Sequence, residues 1–137
     1  MSATFLQSYS ATILRITGAI TMLGGLQFIA PEMVLKLSNM AVADETGLFF
    51  ARHWGLLAFC LGGLLFYSAK HSAFRFPVLL VVTLEKLALV LMVINSGSSP
   101  ALIGMRPAAI FDGLCVLLFL LLLWQGRQVS ARNETSN

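Results

Sequence analysis

The chain has 137 residues, of which 58% are hydrophobic and 11% are charged, and its net charge is +3. A soluble domain of this length carries roughly 25% charged residues, so the composition excludes an ordinary soluble protein. The basic residues are scattered rather than clustered, which excludes a nucleic-acid-binding surface. The hydrophobic residues form four blocks, each long enough to cross a hydrocarbon core of roughly 30 Å. This pattern predicts one membrane-embedded domain over residues 1–126.

The first hydrophobic block covers about residues 10–30 and ends at Pro31, because proline cannot continue a helix. The first 14 residues contain no Lys or Arg, and no small-residue cleavage site follows, so we expect the block to be retained rather than removed as a signal peptide. The next stretch, PEMVLKLSNM, is too short to span and predicts a short helix lying in the membrane interface. Asp44 is the expected N-cap of the second spanning helix.

Three further spanning helices are predicted at about residues 46–68, 77–94 and 107–126. The third begins with a proline in its first turn, where the missing N–H does no harm. Residues 127–137 form a polar C-terminal tail that we expect to be irregular. The fold class is therefore all-α: a polytopic membrane protein built as an antiparallel four-transmembrane-helix bundle, with the short interfacial helix after the first span.

The distribution of Lys and Arg predicts the orientation of the bundle. With four spans, both termini lie on the same side, and that side carries more basic residues than the other. The positive-inside rule then places both termini in the cytoplasm, and we expect the membrane to be the bacterial inner (plasma) membrane. The side of the termini carries Lys70, Arg75, Arg127 and Arg132, and the opposite side carries Lys36 and Arg106.

Several polar and ionisable residues lie inside the predicted spans. At about 1.5 Å per residue, most of them fall in one layer of the membrane, at the midpoint of the third span or up to about 8 Å from the midpoints of the others. Arg15 lies in the opposite half, where its side chain can extend to the interface. The layer contains Gln27, Arg52, His53, Glu85, Lys86 and Asp112, with Trp54 beside His53.

The charged members of this layer are expected to face inward and pair, because an unpaired charge at this depth costs at least ~2.5–3.5 kcal/mol. Adjacent helical residues point about 100° apart, so Glu85 and Lys86 cannot simply neutralise each other. Similar depth predicts an ion pair between Arg52 and Asp112, since a guanidinium holds a carboxylate well. Glu85 is then left to pair with His53 or, indirectly, with Lys86.

The second span also carries a stripe of small residues. Ala51, Gly55, Ala58 and Gly62 recur at helical spacing on one face, which predicts the close approach of a neighbouring helix. Arg52 flanks this stripe. Cys60 and Cys115 lie in hydrophobic blocks and are expected to act as small hydrophobic residues.

No catalytic motif, metal-ligand cluster or cofactor fingerprint occurs, so neither catalytic residues nor a metal site are predicted. Two functions remain open. The favoured one is a non-catalytic accessory or assembly subunit, surrounded by the lipid bilayer and associated with its own copies or with a larger membrane complex. The alternative is a binding, transport or enzymatic protein with a pocket for a quinone or a lipid. There His53, Glu85 and Asp112 would carry protons, while Arg52 and Lys86 would bind anionic or carbonyl oxygens.

Short motifs in all four spans resemble those of the small four-helix membrane proteins grouped as DoxX-like. They are FIAPE at the end of the first span, ARHWGLLAFCLGGLLFYSA in the second, EK in the third and FDG in the fourth. The resemblance implies a four-helix membrane fold and, for some relatives, an association with quinone-coupled or redox-protective membrane complexes. The paired cysteines of some redox-linked relatives are missing here, which argues against a thiol-redox role.

Overall fold

The computed structural model describes residues 3–40, 44–97 and 99–134, and within these ranges the chain is helical without strands. The predicted all-α class is therefore confirmed. The expectation of an irregular C-terminal tail is wrong for residues 127–134, which continue the last helix, because polar residues can extend a helix that is already nucleated. Residues 135–137 of the tail lie outside the described residues. The α-helices are α1 (Ala3–Leu23), α2 (Leu26–Ile29), α3 (Pro31–Leu37), α4 (Glu45–Ser68), α5 (Arg75–Asn95) and α6 (Arg106–Glu134), and two 3₁₀ turns cover Ser72–Phe74 and Pro100–Met105.

Four helical segments are long and apolar enough to cross a membrane, as the sequence predicts. The first combines most of α1 with α2, and the others correspond to α4, α5 and α6. In each segment, only 28% of an apolar 18-residue stretch is buried inside the chain, so most residues of these stretches are at least partly exposed. The segments are Tyr9–Ile29, Glu45–Ser68, Ser72–Asn95 and Leu102–Gly126.

The small-residue stripe of α4 is the face at which neighbouring helices approach closely, as predicted, and the structure shows that these neighbours are α1 and α2. Ala51, Gly55, Ala58 and Gly62 are all buried. A Cβ atom added to Gly62 would lie 2.6 Å from the carbonyl oxygen of Gly18, and one added to Gly55 would lie 2.5 Å from the backbone nitrogen of Phe28. From Gly62 to Gly55, which is the direction away from the Ser68 end of α4, the contacting residue changes from Gly18 of α1 to Phe28 of α2. The missing side chains let the two backbones approach closely.

All four spanning helices contribute to one hydrophobic core cluster. It lies nearer to the Ser68 end of α4 than to the Glu45 end. α1 packs mainly against α4, and α5 packs mainly against α6. The cluster consists of Leu14 on α1, Leu65 and Ala69 at the end of α4, Leu79 and Val82 on α5, and Cys115 and Phe119 on α6.

The connection between α4 and α5 is held by Arg75, the first residue of α5. Its guanidinium donates hydrogen bonds to the carbonyl oxygens of Ser68 (3.2 Å) and Ala69 (2.9 Å) and to the hydroxyl of Ser10 on α1 (3.3 Å). The last carbonyls of a helix have no intrahelical partner, so Arg75 caps α4. It also places the end of α4 beside the start of α5.

Asp44 caps the start of α4, as the sequence predicts. Its carboxylate accepts a hydrogen bond of 2.7 Å from the backbone N–H of Gly47. Replacing Asp44 by Ala should lower the free energy of unfolding by about 1 kcal/mol, because a first-turn donor loses its partner. Denaturant titration of the protein in detergent micelles measures this, with Asp44→Asn as the control that retains a capping oxygen. Equal stability of the Ala and Asn variants would show that the cap contributes nothing.

Candidate functional site

The site is centred on a buried ion pair between α5 and α6. The ammonium of Lys86 contacts the Oδ1 atom of Asp112, and the two side chains are only 3% and 8% exposed. The same ammonium lies 5.4 Å from the centre of the Phe111 ring, a distance at which the ring face attracts a cation. The Lys86 charge is therefore neutralised inside the fold, by a carboxylate from the helix on which α5 mainly packs.

The predicted ion pair between Arg52 and Asp112 is wrong. Asp112 pairs with Lys86, and Arg52 is exposed on the outer surface of α4. Leu61, which packs against the core cluster shared with α5 and α6, follows Arg52 by nine residues. Nine residues at about 100° each correspond to half a revolution of the helix, so Arg52 points away from α5 and α6.

The polar residues also do not form one layer. Leu65 of α4 belongs to the same core cluster as Leu79 and Val82 of α5, so these residues lie at similar positions along the bundle axis. Lys86 is four to seven residues, or about 6–10 Å, beyond the two α5 residues, whereas Arg52 is 13 residues, or about 20 Å, from Leu65. Both steps lead away from the Ser68 end. Arg52 consequently lies roughly 9–14 Å further along the bundle axis than Lys86.

Gln27 packs against the part of α4 between Ala51 and Gly55 and does not join the ion pair. Its side chain is 8% exposed, and its amide nitrogen donates a hydrogen bond of 3.1 Å to the carbonyl oxygen of Ala51. A buried amide needs such a partner, and here it joins α2 to the small-residue stripe of α4. Gln27 is thus part of the packing between these helices, whereas Lys86 and Asp112 bond to each other.

His53 and Trp54 do not join the ion pair either. His53 is exposed on the face of α4 that lies opposite the small-residue stripe, and Trp54 is half-buried. His53 forms no hydrogen bond or ion pair with a carboxylate among the described residues. The histidine–carboxylate arrangement that the sequence suggests is therefore not assembled in the described part of the chain.

Glu85 is the unmatched member of the site. It is half-buried on α5, next to Lys86, and in the part of the chain that the structure describes it forms no hydrogen bond or ion pair. The Glu85–Lys86–Asp112 group contains two formally negative residues and one positive residue. If all three are ionised, this level of the molecule carries an excess of one negative charge.

Two neighbours of the ion pair were not among the predicted site residues. Thr83 is buried one turn before Lys86 and donates its hydroxyl hydrogen to the carbonyl oxygen of Leu79. Phe111, adjacent to Asp112 in FDG, places its ring near the Lys86 ammonium. Thr83 could have been found from the sequence, because it lies three residues before Lys86 and such residues are neighbours on a helix. Phe111 could be recognised only after the partner of Lys86 was known.

The arrangement is a closed ion pair with one unmatched carboxylate beside it. Across residues 3–40, 44–97 and 99–134, no three His, Cys, Asp or Glu side chains come together in a way that could hold a metal ion. Cys115 is buried in the core cluster, and Cys60 is exposed on α4. No protein family, curated protein or solved structure that was compared with this chain matches it.

Proposed function

We propose that this chain is a non-catalytic accessory or assembly subunit of a membrane complex. In this proposal the four spans form an antiparallel bundle in the bacterial inner membrane, with both termini in the cytoplasm and α3 in the interface. The exposed side chains of Met33 and Leu37 on α3 would face the lipid, while Pro31 and Leu35 face the protein. The sequence resemblance to DoxX-like proteins belongs to the same proposal.

The observation that carries the proposal is the exposure of Arg52 and His53 on the outer face of α4. They stand beside the exposed rings of Phe49 and Phe50, about 10 Å along the helix from Glu45. Ionisable groups inside a span normally face protein or water, because lipid tails offer them no partner. A surface that combines an arginine, a histidine and large aromatic residues has the composition of a protein contact.

A quinone or lipid pocket is the weaker alternative. It would need Arg52, His53, Glu85, Lys86 and Asp112 to face a common space. Lys86 and Asp112 are occupied with each other, and Arg52 and His53 lie on an outer surface at a different level. The groups that would bind and protonate such a molecule are therefore separated, which favours the role of an assembly subunit over that of a binding protein or enzyme.

The proposal is tested by native mass spectrometry of the protein extracted from its own membrane in a mild detergent. We expect the wild-type chain to carry other protein chains at a fixed ratio. Replacing Arg52 and His53 together by Leu should raise the dissociation constant of the assembly at least about tenfold, the effect of about 1.4 kcal/mol of binding free energy, and so lower the assembled fraction. Leu117→Ala, at an exposed position on α6 outside the proposed contact surface, is the control and should leave the assembly intact.

Two results would contradict the proposal. A wild-type chain that is extracted alone, with a defined small hydrophobic molecule bound, would support the pocket instead. An assembly that survives the double substitution unchanged would show that the outer face of α4 is not the contact surface.

A further inference from the structure

We propose that the turn between α4 and α5, residues 69–74, binds the phosphate of an anionic phospholipid through Lys70 and the adjoining Arg75. The inference goes beyond the assembly role and does not depend on it, since it requires only that α4 and α5 span a membrane. It follows from three observations: a guanidinium with unused donors, a stretch of chain without acidic residues, and exposed aromatic rings on both sides of the basic residues.

Arg75 holds this turn together and still has hydrogen-bond donors to offer. Its Nε, Nη1 and Nη2 atoms each donate one hydrogen bond, to the carbonyl oxygen of Ser68, the hydroxyl of Ser10 and the carbonyl oxygen of Ala69. A guanidinium has five N–H groups, so one on Nη1 and one on Nη2 remain. The side chain is partly exposed. Two N–H groups of one guanidinium match two oxygens of a phosphate, which Lys alone cannot do.

One hydrogen bond brings the two basic residues to the same place. The Nη2 atom of Arg75 lies 2.9 Å from the carbonyl oxygen of Ala69, and that carbonyl group forms the peptide bond to Lys70. The Lys70 side chain therefore leaves the backbone beside the guanidinium. Lys70 is exposed and forms no ion pair with the described residues, so one phosphate group can contact both cations.

The positive charge at this turn has no counter-charge nearby in the chain. The three acceptors of Arg75 are neutral oxygens. The sequence has no Asp or Glu between Glu45, at the opposite end of α4, and Glu85, which lies ten residues or about 15 Å along α5 from Arg75. No acidic residue precedes Glu32 either, so α1 supplies none. The complement of this turn is therefore an anion from outside the chain.

The end of α6 does not reverse this balance. In the proposed antiparallel bundle it lies on the same side as the α4–α5 turn. Beyond Gly126, where the last span ends, α6 contains Arg127, Arg132 and Glu134. Glu134 is eight residues, or about 12 Å, past Gly126. The basic residues still outnumber the acidic one, and this one lies far along the helix from the end of the span.

Exposed aromatic rings indicate the depth of the turn. The ring of Tyr67 stacks on that of His71 with their centres 4.2 Å apart, and the ring of Phe74 lies 5.8 Å from Tyr67. Tyr67, Phe74 and Phe76 are all about half exposed. Trp and Tyr rings are enriched at the level of lipid headgroups, between the acyl chains and water. The turn follows directly on the span that ends at Ser68, which is the same depth.

This combination favours a lipid over a dissolved anion or an acidic protein. A free phosphate ion would use the two cations but would leave the flanking rings without a role. A phospholipid brings both parts, since its phosphate faces the cations and its acyl chains contact the exposed rings. Basic residues at this depth attract anionic lipids by about 1 kcal/mol each.

Native mass spectrometry of the purified full-length chain in a mild detergent measures the lipid affinity. The probe is dioleoylphosphatidylglycerol, and dioleoylphosphatidylcholine, with the same acyl chains and no net charge, is the comparison lipid. Lys70→Gln should raise the dissociation constant for the anionic lipid about fivefold, the effect of about 1 kcal/mol. Lys36→Gln removes the same charge from an exposed residue of α3, and as the matched control should leave the constant nearly unchanged.

Arg75→Lys tests the guanidinium separately, because it keeps the charge but removes the paired N–H groups. It should weaken binding of the anionic lipid without any change of net charge. Because Arg75 also caps α4, circular dichroism must show that this variant keeps its helices. A measurement on the wild-type chain needs no substitution: a phosphatidylglycerol carrying a photoreactive headgroup should label residues between Tyr67 and Phe76.

Several results would overturn the inference. They are equal affinity for the two lipids, equal effects of Lys70→Gln and Lys36→Gln, and labelling spread over both ends of the bundle. Release of the lipid by millimolar inorganic phosphate would show that the turn holds a free anion instead. Unchanged binding by a folded Arg75→Lys variant would remove the guanidinium from the site. None of these results bears on the assembly role, which the Arg52 and His53 substitutions test.

Discussion

Asp112→Asn should lower the free energy of unfolding by about 3–5 kcal/mol, the usual cost of breaking a buried ion pair from one side. The substitution preserves the size of the side chain but leaves the Lys86 ammonium, only 3% exposed, without a counter-charge. The ring of Phe111 offers a weaker attraction that cannot replace a carboxylate. The loss therefore comes from an uncompensated charge inside the fold rather than from lost packing.

A double substitution identifies the cause. Lys86→Met together with Asp112→Leu removes both charges, fills the space with apolar groups, and should recover most of the stability that Asp112→Asn loses. Unfolding in detergent micelles, followed by circular dichroism during denaturant titration, measures all three proteins. Glu85→Gln, which removes a charge outside the ion pair, is the control and should change the stability much less. If the double variant is no more stable than Asp112→Asn, the Lys86–Asp112 pair does not account for the loss.

Gly62→Ala is the second substitution with a large expected effect. The added methyl group would lie 2.6 Å from the carbonyl oxygen of Gly18 and 2.6 Å from the backbone nitrogen of Met22. These are backbone atoms, so α1 and α4 must move apart to accept it. Overpacking of this kind costs about 1–3 kcal/mol, and we expect the upper end of that range because the separation loosens the whole contact between the two helices.

The adjacent glycine supplies a matched control. A Cβ atom added to Gly63 meets no atom within 4 Å, so Gly63→Ala carries no steric cost. Alanine in a helix is favoured over glycine by roughly 0.5–1 kcal/mol, so this variant should be as stable as the wild type or slightly more so. The same unfolding titration compares the two variants. Equal behaviour of Gly62→Ala and Gly63→Ala would mean that the close approach of α1 and α4 does not stabilise the fold.

The sequence was sufficient to predict the four helical spans, although not the extension of α6 into the polar tail. Four hydrophobic blocks of spanning length, Pro31 after the first and Asp44 before the second each report a local property of the chain. The small residues from Ala51 to Gly62 likewise predicted the buried face of α4, because helical periodicity places them on one side whatever their neighbour is. All of these features depend on residues that are close together along the chain.

The partners of the charged side chains could not be predicted in the same way. Position along a span indicates how far a residue lies from the span's own midpoint, but not how far one helix is shifted along another. Nor does it indicate which neighbour a given face meets. The core cluster that Leu65 shares with Leu79 and Val82 places Arg52 roughly 9–14 Å from the level of Lys86. The predicted single polar layer therefore divides into two levels.

The sequence by itself thus determined that the chain is helical, that four segments are long and apolar enough to span a membrane, and which face of α4 is buried. Only the tertiary structure decided that Lys86, rather than Arg52, meets Asp112, and that Glu85 is left unmatched. The physical reason is that helix formation and hydrophobic periodicity are local properties of the chain. A buried ion pair depends instead on the rotation and the relative shift of two packed helices, which the whole set of core contacts determines together.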